Sequence, residues 1–459
     1  MTQSQINRSK LTVGPNDDLS VGQSALLGIQ HVLAMDVYVV PFIIASAIGL
    51  TTAESSALIQ STFIAAGFAT IIQSYFCMKL PVAQGPSFIP IGAIVGIYFA
   101  NNQSGNGWGT VMGASLIGAL LVILLGLTGI FHRLIQKFVP PIVGGTIIFT
   151  VGLSLMPVAL NDNVFHATGD LGQNILLAII AATTLVVFAM IGSRFSGKGR
   201  IFRISSVILA LLIGSLAAQL MGILDLSQVS HARLFSFPDF AFVNFNFSFD
   251  LSSILTMTII YVVLLAETTG TWFAVSTVCE EPLTEANINR GVIGEGIGCL
   301  ISSLFGATPV TGYSTNAGII SITGVASKKV FAAAGLWFIL FGLSGKFSTL
   351  ISSIPSPVIG GVFVIVCGII SISGLKVIKE VELGEKEMYV LAIPMILTIA
   401  LTLIPEEFIQ TLPSFLQYLF SSSVATASVA AILLNSILPA ERKEVDRKEE
   451  LTTIASEKN

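Results

Sequence analysis

Four ionisable side chains lie within or beside long apolar runs of the sequence, where they could bind a ligand or move a proton. Glu267 is in the middle of one run, within Leu264-Leu-Ala-Glu-Thr-Thr-Gly270, and Glu295 is near the start of another. His31 and Asp36 lie about one helical turn apart in the first run. Because a charge among apolar groups is costly unless it is paired, each of these residues needs a structural or a functional explanation.

The chemistry open to these groups is hydrogen bonding and proton transfer. A carboxylate has two acceptor oxygens, so Glu267 could take paired hydrogen bonds from a ligand with N–H donors, or could be a structural carboxylate satisfied by a neighbouring helix. Glu295 has the same two possibilities, or it could be an acid in the first turn of a helix. His31 and Asp36 could form a proton relay or neutralise each other, and His31 alone could be a structural hydrogen-bonding residue.

Two polar, glycine-rich stretches are predicted to position these groups. They read Pro81-Val-Ala-Gln-Gly-Pro-Ser-Phe-Ile-Pro-Ile-Gly92 and Pro309-Val-Thr-Gly-Tyr-Ser-Thr-Asn-Ala-Gly-Ile-Ile-Ser-Ile-Thr-Gly324, and apolar sequence borders both. Irregular backbone at membrane depth must line a cavity or be buried in protein. The second stretch is predicted to start a short helix near Asn316, with free N–H donors at its N-terminus. In the first stretch, Phe88 is the candidate for stacking on a flat ring.

The composition indicates a polytopic membrane protein. The 459 residues are 53% hydrophobic and only 10% charged, whereas about 25% of residues are charged in a typical soluble domain. The hydrophobic runs are close to 20 residues (about the length that crosses a bilayer). Fourteen transmembrane segments are predicted, of which the third and the tenth are the broken stretches above.

The sequence favours no enzyme class. It shows no nucleotide-binding loop, zinc-ligand spacing or nucleophile–base pattern, so no cofactor and no metal are expected. The cysteines have no paired spacing and are interpreted as free thiols in or beside apolar runs; they are Cys77, Cys279, Cys299 and Cys367.

The distribution of basic residues predicts the orientation. With fourteen segments and a cytoplasmic N-terminus, all of the 22 Lys and Arg residues except Arg233 and Lys346 fall on cytoplasmic segments. Such a bias sets the orientation of membrane proteins. Both termini are therefore predicted to be cytoplasmic, in a multi-pass protein of the cell (plasma or inner) membrane.

Matching motifs indicate an inverted repeat of seven plus seven segments. Pro141-Ile-Val-Gly-Gly145 opens the predicted fifth segment, and Pro357-Val-Ile-Gly-Gly361 opens the twelfth. The alternative is that these glycines only let helices pack closely. Interrupted segments at corresponding places in two inverted halves indicate the substrate site of a transporter. The predicted fold is thus an all-α polytopic membrane protein with short strands in its two broken segments.

At these residues the chain resembles the nucleobase–ascorbate transporters, the xanthine/uracil permease family, over essentially all fourteen segments. The family signature reads here Thr315-Asn316-Ala-Gly318-Ile-Ile-Ser-Ile-Thr323-Gly324. The other matching positions are Gln30-His31, Gln84-Gly-Pro-Ser87-Phe88, Glu267 and Glu295.

The resemblance implies a nucleobase importer driven by proton symport, in which a core domain carries the substrate past a gate domain. Its implied partners are a nucleobase, protons (in preference to sodium), the lipid bilayer and a second copy of the chain, and nucleic acid is not among them. The implied substrate-binding residues are Gln84, Ser87, Phe88, Glu267, Thr271, Thr315, Asn316 and Gly318. The proton-coupling candidates are His31, Asp36, Glu267 and Glu295. The implied division is an N-terminal segment (1–20), core parts (21–134 and 251–353), gate parts (135–250 and 354–440) and a C-terminal tail (441–459).

Three positions depart from the family pattern. Thr315 stands where Glu or Gln usually reads the base, Thr271 replaces an ionisable His or Asp, and Asp36 replaces an apolar or aromatic residue. The ending Thr323-Gly-Val-Ala-Ser-Lys328 is closer to the purine members, so xanthine, urate or guanine is favoured over uracil. The alternative is an anion transporter of the same plan, but Glu267 at its site would repel an anion.

Overall fold

The computed structural model describes residues 11–33, 35–102, 105–194, 202, 205–238, 245–313, 316–317, 319–320, 324–379, 381–405, 408–409 and 411–439. Helices dominate this part of the chain. In the first half they are α1 (Val21–Leu33), α2 (Val39–Ala47), α3 (Thr52–Ile71, continued by the π-helix Ile72–Cys77), α4 (Ile91–Asn102), α5 (Gly107–Thr128), α6 (Phe131–Phe138), α7 (Pro141–Pro157, continued by the π-helix Val158–Phe165), α8 (Leu171–Arg194), α9 (Ser206–Leu220) and α10 (Ser227–His231).

The second half begins with the longest helix. Its helices are α11 (Leu251–Cys279), α12 (Glu285–Leu304), α13 (Lys328–Gly342), α14 (Gly345–Ser352), α15 (Ser356–Ile378), α16 (Glu385–Leu403), α17 (Ser414–Ser421) and α18 (Ser423–Ile437). Two short strands complete the regular structure, β1 (Gln84–Pro86) and β2 (Val310–Gly312).

Within the described residues, seven helices are long and apolar enough to cross a membrane, and an eighth span results if α13 and α14, bent by 76°, count as one. Helices α4, α9 and α18 are apolar but shorter. A multi-pass membrane protein is therefore confirmed, whereas the number fourteen stays a prediction.

Local sequence signals explain where several helices begin. Thr51 and Glu54 form a reciprocal capping box at the start of α3, and the side chain of Asp250 accepts a hydrogen bond from the Ser253 N–H at the start of α11. These oxygens satisfy N–H groups that have no partner inside the helix. Pro141 lies in the first turn of α7, where its missing N–H costs nothing.

The first apolar run is not one continuous helix, contrary to the prediction of a single segment over residues 25–50. Helix α1 ends at Leu33, α2 begins at Val39, and Asp36 lies in the break. Pro41 supplies a physical reason, since it has no N–H to donate to residue 37 and its ring crowds that carbonyl. Because of this break, Asp36 lies outside both helices.

The long connection over residues 225–250 contains the short helix α10. Its described residues contain no strand, and residues 239–244 lie outside the description.

Helices pack closely at glycines of the two matching motifs, Pro141–Gly145 and Pro357–Gly361. A Cβ atom at Gly145 would lie 2.7 Å from a side-chain carbon of Ile378 on α15, and one at Gly361 would lie 2.2 Å from the Ala178 carbonyl oxygen on α8. Small residues here let α7, α8 and α15 approach each other. The packing explanation of these motifs thus has direct structural support, and the inverted repeat stays a prediction.

Candidate functional site

The two glycine-rich stretches meet as a two-stranded antiparallel sheet in the protein interior. In its register Gln84 is opposite Gly312, and Pro86 is opposite Val310. Its residues are buried. Pairing satisfies the backbone groups that a break in a membrane segment would otherwise leave exposed. The sheet therefore brings two stretches more than 200 residues apart into one site.

Helix α11 fixes β2 through two threonine hydroxyls. The Thr268 hydroxyl accepts a hydrogen bond from the Gly312 N–H at 3.0 Å, and the Thr271 hydroxyl donates one to the Gly312 carbonyl at 3.1 Å. Gly312 is suited to this contact because a Cβ there would lie 2.6 Å from the Thr268 hydroxyl oxygen. Thr271 was predicted to bind the substrate, but in the structure its hydroxyl is bonded to the backbone of β2.

Ser87 and Glu267 form the hydrogen-bonded pair at the accessible side of the site. The Ser87 hydroxyl donates to a carboxylate oxygen of Glu267 at 3.0 Å, and the same hydroxyl oxygen accepts from the Ile89 N–H at 3.2 Å. Ser87 is buried, whereas Glu267 is only partly buried. Glu267 therefore keeps some exposed surface, whereas Ser87 does not.

Gln84 and Glu295 form a second pair, which is completely buried. The Gln84 side-chain amide donates to a carboxylate oxygen of Glu295 at 2.9 Å, and the hydroxyls of Thr268 and Thr311 lie beside this carboxylate. Helix α12 begins at Glu285, which puts Glu295 in its interior. The interpretation of Glu295 as an acid in the first turn of a helix is therefore wrong, because the helix begins ten residues before Glu295.

Asn316, in the second stretch, is held by helix α1 and by the first stretch. Its side-chain oxygen lies 3.3 Å from Nδ1 of His31, and its side-chain nitrogen donates to the Pro81 carbonyl at 3.4 Å. The His31 ring also packs on Phe331, with ring centroids 4.5 Å apart. His31 is therefore a buried partner of the signature asparagine.

Asp36 bonds to Tyr313, a residue that the sequence analysis missed. The Tyr313 hydroxyl donates to the Asp36 carboxylate at 2.9 Å. The Tyr313 ring covers Gly85, where a Cβ would lie 2.6 Å from two ring carbons. His31 and Asp36 do not bond to each other. The His31 side chain contacts Asn316, and the Asp36 side chain bonds to Tyr313. The signal in the sequence that could have identified Tyr313 is its position directly after the glycine-containing strand β2.

Phe88 stacks on Phe363 of α15, with ring centroids 5.6 Å apart and an interplanar angle of 16°. One face of the Phe88 ring is thus occupied by Phe363, and stacking of Phe88 on a ligand stays a prediction. Phe363 was not foreseen, because nothing in an apolar helix distinguishes one phenylalanine. Thr315 and Gly318, two further predicted site residues, lie outside the described residues.

The site combines four kinds of chemical group: the carboxylate of the partly buried Glu267, the Ser87 hydroxyl, the buried amide–carboxylate pair and the Phe88 ring. Such a set suits a small, flat ligand with N–H donors, since an aromatic face favours stacking and carboxylate oxygens accept charge-assisted hydrogen bonds.

Comparison with known proteins agrees with this architecture. Residues 22–407 match the xanthine/uracil permease model, described as "Permease family". The chain is 31% identical to the xanthine permease of Bacillus subtilis (strain 168) over 91% of its length and 94% of the relative's. It is also 31% identical to the uracil permease of Bacillus caldolyticus, over 92% and 94%.

Among solved structures, the transmembrane domain of the cyanobacterial bicarbonate transporter BicA has a similar fold. Its TM-score is 0.58 at 14% identity, over 92% of this chain and all of that domain. The similarity supports a membrane-transporter fold. From the match over residues 22–407, the chain belongs to the xanthine/uracil permease family, the nucleobase–ascorbate transporters.

Proposed function

We propose that the protein is a secondary active transporter that imports a nucleobase, with a purine such as xanthine, urate or guanine favoured over uracil. The observation that carries the proposal is the partly buried Glu267, whose carboxylate accepts a hydrogen bond from Ser87, the residue that precedes the aromatic ring of Phe88. Nucleobases are flat rings with N–H donors, which matches both surfaces. The names of the relatives agree with this class of substrate.

The choice between purine and pyrimidine rests on the sequence alone. The xanthine and the uracil permease are equally similar to this chain at 31% identity, so overall similarity does not separate them. The ending Thr323-Gly-Val-Ala-Ser-Lys328 is the feature that favours a purine.

The alternative is an anion transporter, because the fold is shared with a bicarbonate transporter. Two glutamates at the site oppose this reading. Glu267 and Glu295 are near enough to interact electrostatically, and an anion placed beside them would be repelled in an environment that screens charge poorly. The acid pair thus favours an uncharged ligand with N–H groups.

Coupling is proposed to be proton symport, with Asp36 together with His31, or else Glu267, as the group that carries the proton. Asp36 is buried, and its carboxylate accepts a hydrogen bond from the neutral hydroxyl of Tyr313. A buried carboxylate without a cationic partner is costly when charged, which suits a group that takes up and releases a proton. The contacts of Asp36 with Tyr313 and of His31 with Asn316 would connect protonation to the site.

Alternating access is proposed to occur by an elevator-type movement of the core domain against the gate domain, within a homodimer. The stacked rings of Phe88 and Phe363 lie where a residue of the proposed core meets a helix of the proposed gate. A sliding core would have to separate these rings, so the contact is expected to change between inward-facing and outward-facing states.

The test is uptake of radiolabelled xanthine, urate, guanine, hypoxanthine, uracil and bicarbonate in a bacterial host that lacks its own transporters for these compounds. Saturable uptake of a purine that a protonophore abolishes is expected, with uracil competing weakly. The variant Glu267→Gln is assayed alongside the wild-type protein. Its control is Glu285→Gln, the same chemical change at an exposed residue of α12. Uptake of bicarbonate alone, or of no compound, would overturn the proposal.

A further inference from the structure

The first described residues form a short strap across the end of the second glycine-rich stretch. The Thr12 N–H, the Val13 N–H and the Thr12 hydroxyl all donate to the Gly324 carbonyl, at 2.8, 2.9 and 3.0 Å. The Ala326 N–H donates back to the Val13 carbonyl at 2.9 Å, and Lys329 forms an ion pair with Asp18. We define the strap as residues 11–18.

Gly324 joins the strap to the helical residues near Asn316. Its N–H donates to the Ile320 carbonyl at 2.7 Å, and residues 316, 317, 319 and 320 are helical. Its φ angle of +67° lies in the left-handed region, which glycine adopts without the strain that a side chain would cause. The Gly324 carbonyl accepts hydrogen bonds from the three donors of the strap.

The same N-terminal part of the chain also holds the other end of this segment. Helix α1 follows the strap, and its His31 contacts the side chain of Asn316 at 3.3 Å. Between the two contacts, α1 lies tightly on α13: a Cβ at Gly28 would be 2.9 Å from the Ala334 nitrogen, and the Trp337 indole donates to the Ala25 carbonyl at 2.9 Å. Residues 11–31 thus contact the segment 316–324 at both of its ends.

We propose that the strap is a positioning element of the substrate site: by holding Gly324, it fixes where Asn316 lies. This inference rests on the proposed function, with Asn316 as a substrate-binding residue. A segment held at one end would have to be ordered when the ligand binds, and that ordering subtracts from affinity. A segment held at both ends is ordered in advance.

The test measures binding of tritiated xanthine to the purified full-length protein, together with its thermal unfolding. Thr12→Val/Val13→Pro removes two of the three donors to Gly324, the Thr12 hydroxyl and the Val13 N–H, and we expect an affinity about tenfold lower, since each lost hydrogen bond weakens the preorganised segment. Asn16→Ala, a change at an exposed residue of the strap, is the control. Thr12→Ser retains the hydroxyl and is expected to retain the affinity that Thr12→Val loses.

Coupling to the site separates positioning from mere stabilisation. In an Asn316→Ala background the strap variant is expected to cause no further loss of affinity, because the group that the strap positions is already gone. A merely structural strap would lower the unfolding temperature but leave the affinity of the folded protein unchanged, and that result overturns the inference. So would an equal loss of affinity in both backgrounds.

Two further outcomes are distinguishable. If the double variant does not fold, Thr12→Val alone removes only the side-chain donor, and an affinity equal to that of the wild type overturns the inference. Failure of the wild-type protein to bind any nucleobase contradicts the proposed function instead.

Discussion

Glu267→Gln is the sharpest test of the site because it keeps the shape of the side chain. The glutamine can still accept the Ser87 hydroxyl, which lies 3.0 Å from the carboxylate, but its second polar atom becomes an N–H₂ donor. An N–H group of the ligand would then meet a donor in place of an acceptor. A hydrogen bond to a charged group contributes about 1.5–3 kcal/mol, so the affinity should fall by about 10- to 150-fold.

The measurement is equilibrium binding of tritiated xanthine, or of whichever purine is taken up best, to purified protein. Thermal unfolding of the same samples shows whether the variant is folded. Glu285→Gln makes the same chemical change at an exposed position on α12 and is expected to bind normally. Ser87→Ala frees the Glu267 carboxylate from its internal partner and is expected to weaken binding less than Glu267→Gln does.

An affinity of the folded Glu267→Gln protein within about twofold of wild type would refute the reasoning, because that difference is smaller than the contribution of even a neutral hydrogen bond. A loss that appears only as a lower unfolding temperature would mean that Glu267 is a structural carboxylate, the alternative that the sequence left open.

Three further predictions concern the neighbouring groups. Glu295→Gln keeps an acceptor for Gln84 and should weaken binding less than Glu267→Gln, whereas Glu295→Leu leaves that buried amide unpaired and should lower stability by about 1–3 kcal/mol in thermal unfolding. Cysteines replacing Phe88 or Thr315 in a cysteine-free protein should be shielded from thiol reagents by saturating substrate; equal labelling with and without it would contradict the site. Asp36→Asn should abolish accumulation driven by a proton gradient while sparing binding and counterflow, and concentrative uptake by the variant would show that Asp36 is structural.

Local signals in the sequence were sufficient for the helical membrane architecture and for short strands in the two glycine-rich stretches. Hydrophobic length and low charge indicate membrane segments, and the Gly- and Pro-rich stretches contain β1 and β2. That these stretches break membrane segments stays a prediction. The break between α1 and α2 was missed although Pro41 marks it, because the run is apolar on both sides. Apolar character reports burial in the membrane but not whether the helix is continuous across it.

The site could be predicted as a set of residues but not as a set of pairs. Glu267 and Glu295 look alike in the sequence, yet Ser87 bonds to the first, which is only partly buried, and Gln84 bonds to the second, which is completely buried. Gln84 is a residue of β1, whereas Ser87 follows the last residue of that strand, Pro86. The pairing of β1 with β2 joins residues more than 200 positions apart, which no local pattern records. The proposed roles of the two acids, Glu267 for the ligand and Glu295 for the scaffold, therefore depend on the fold.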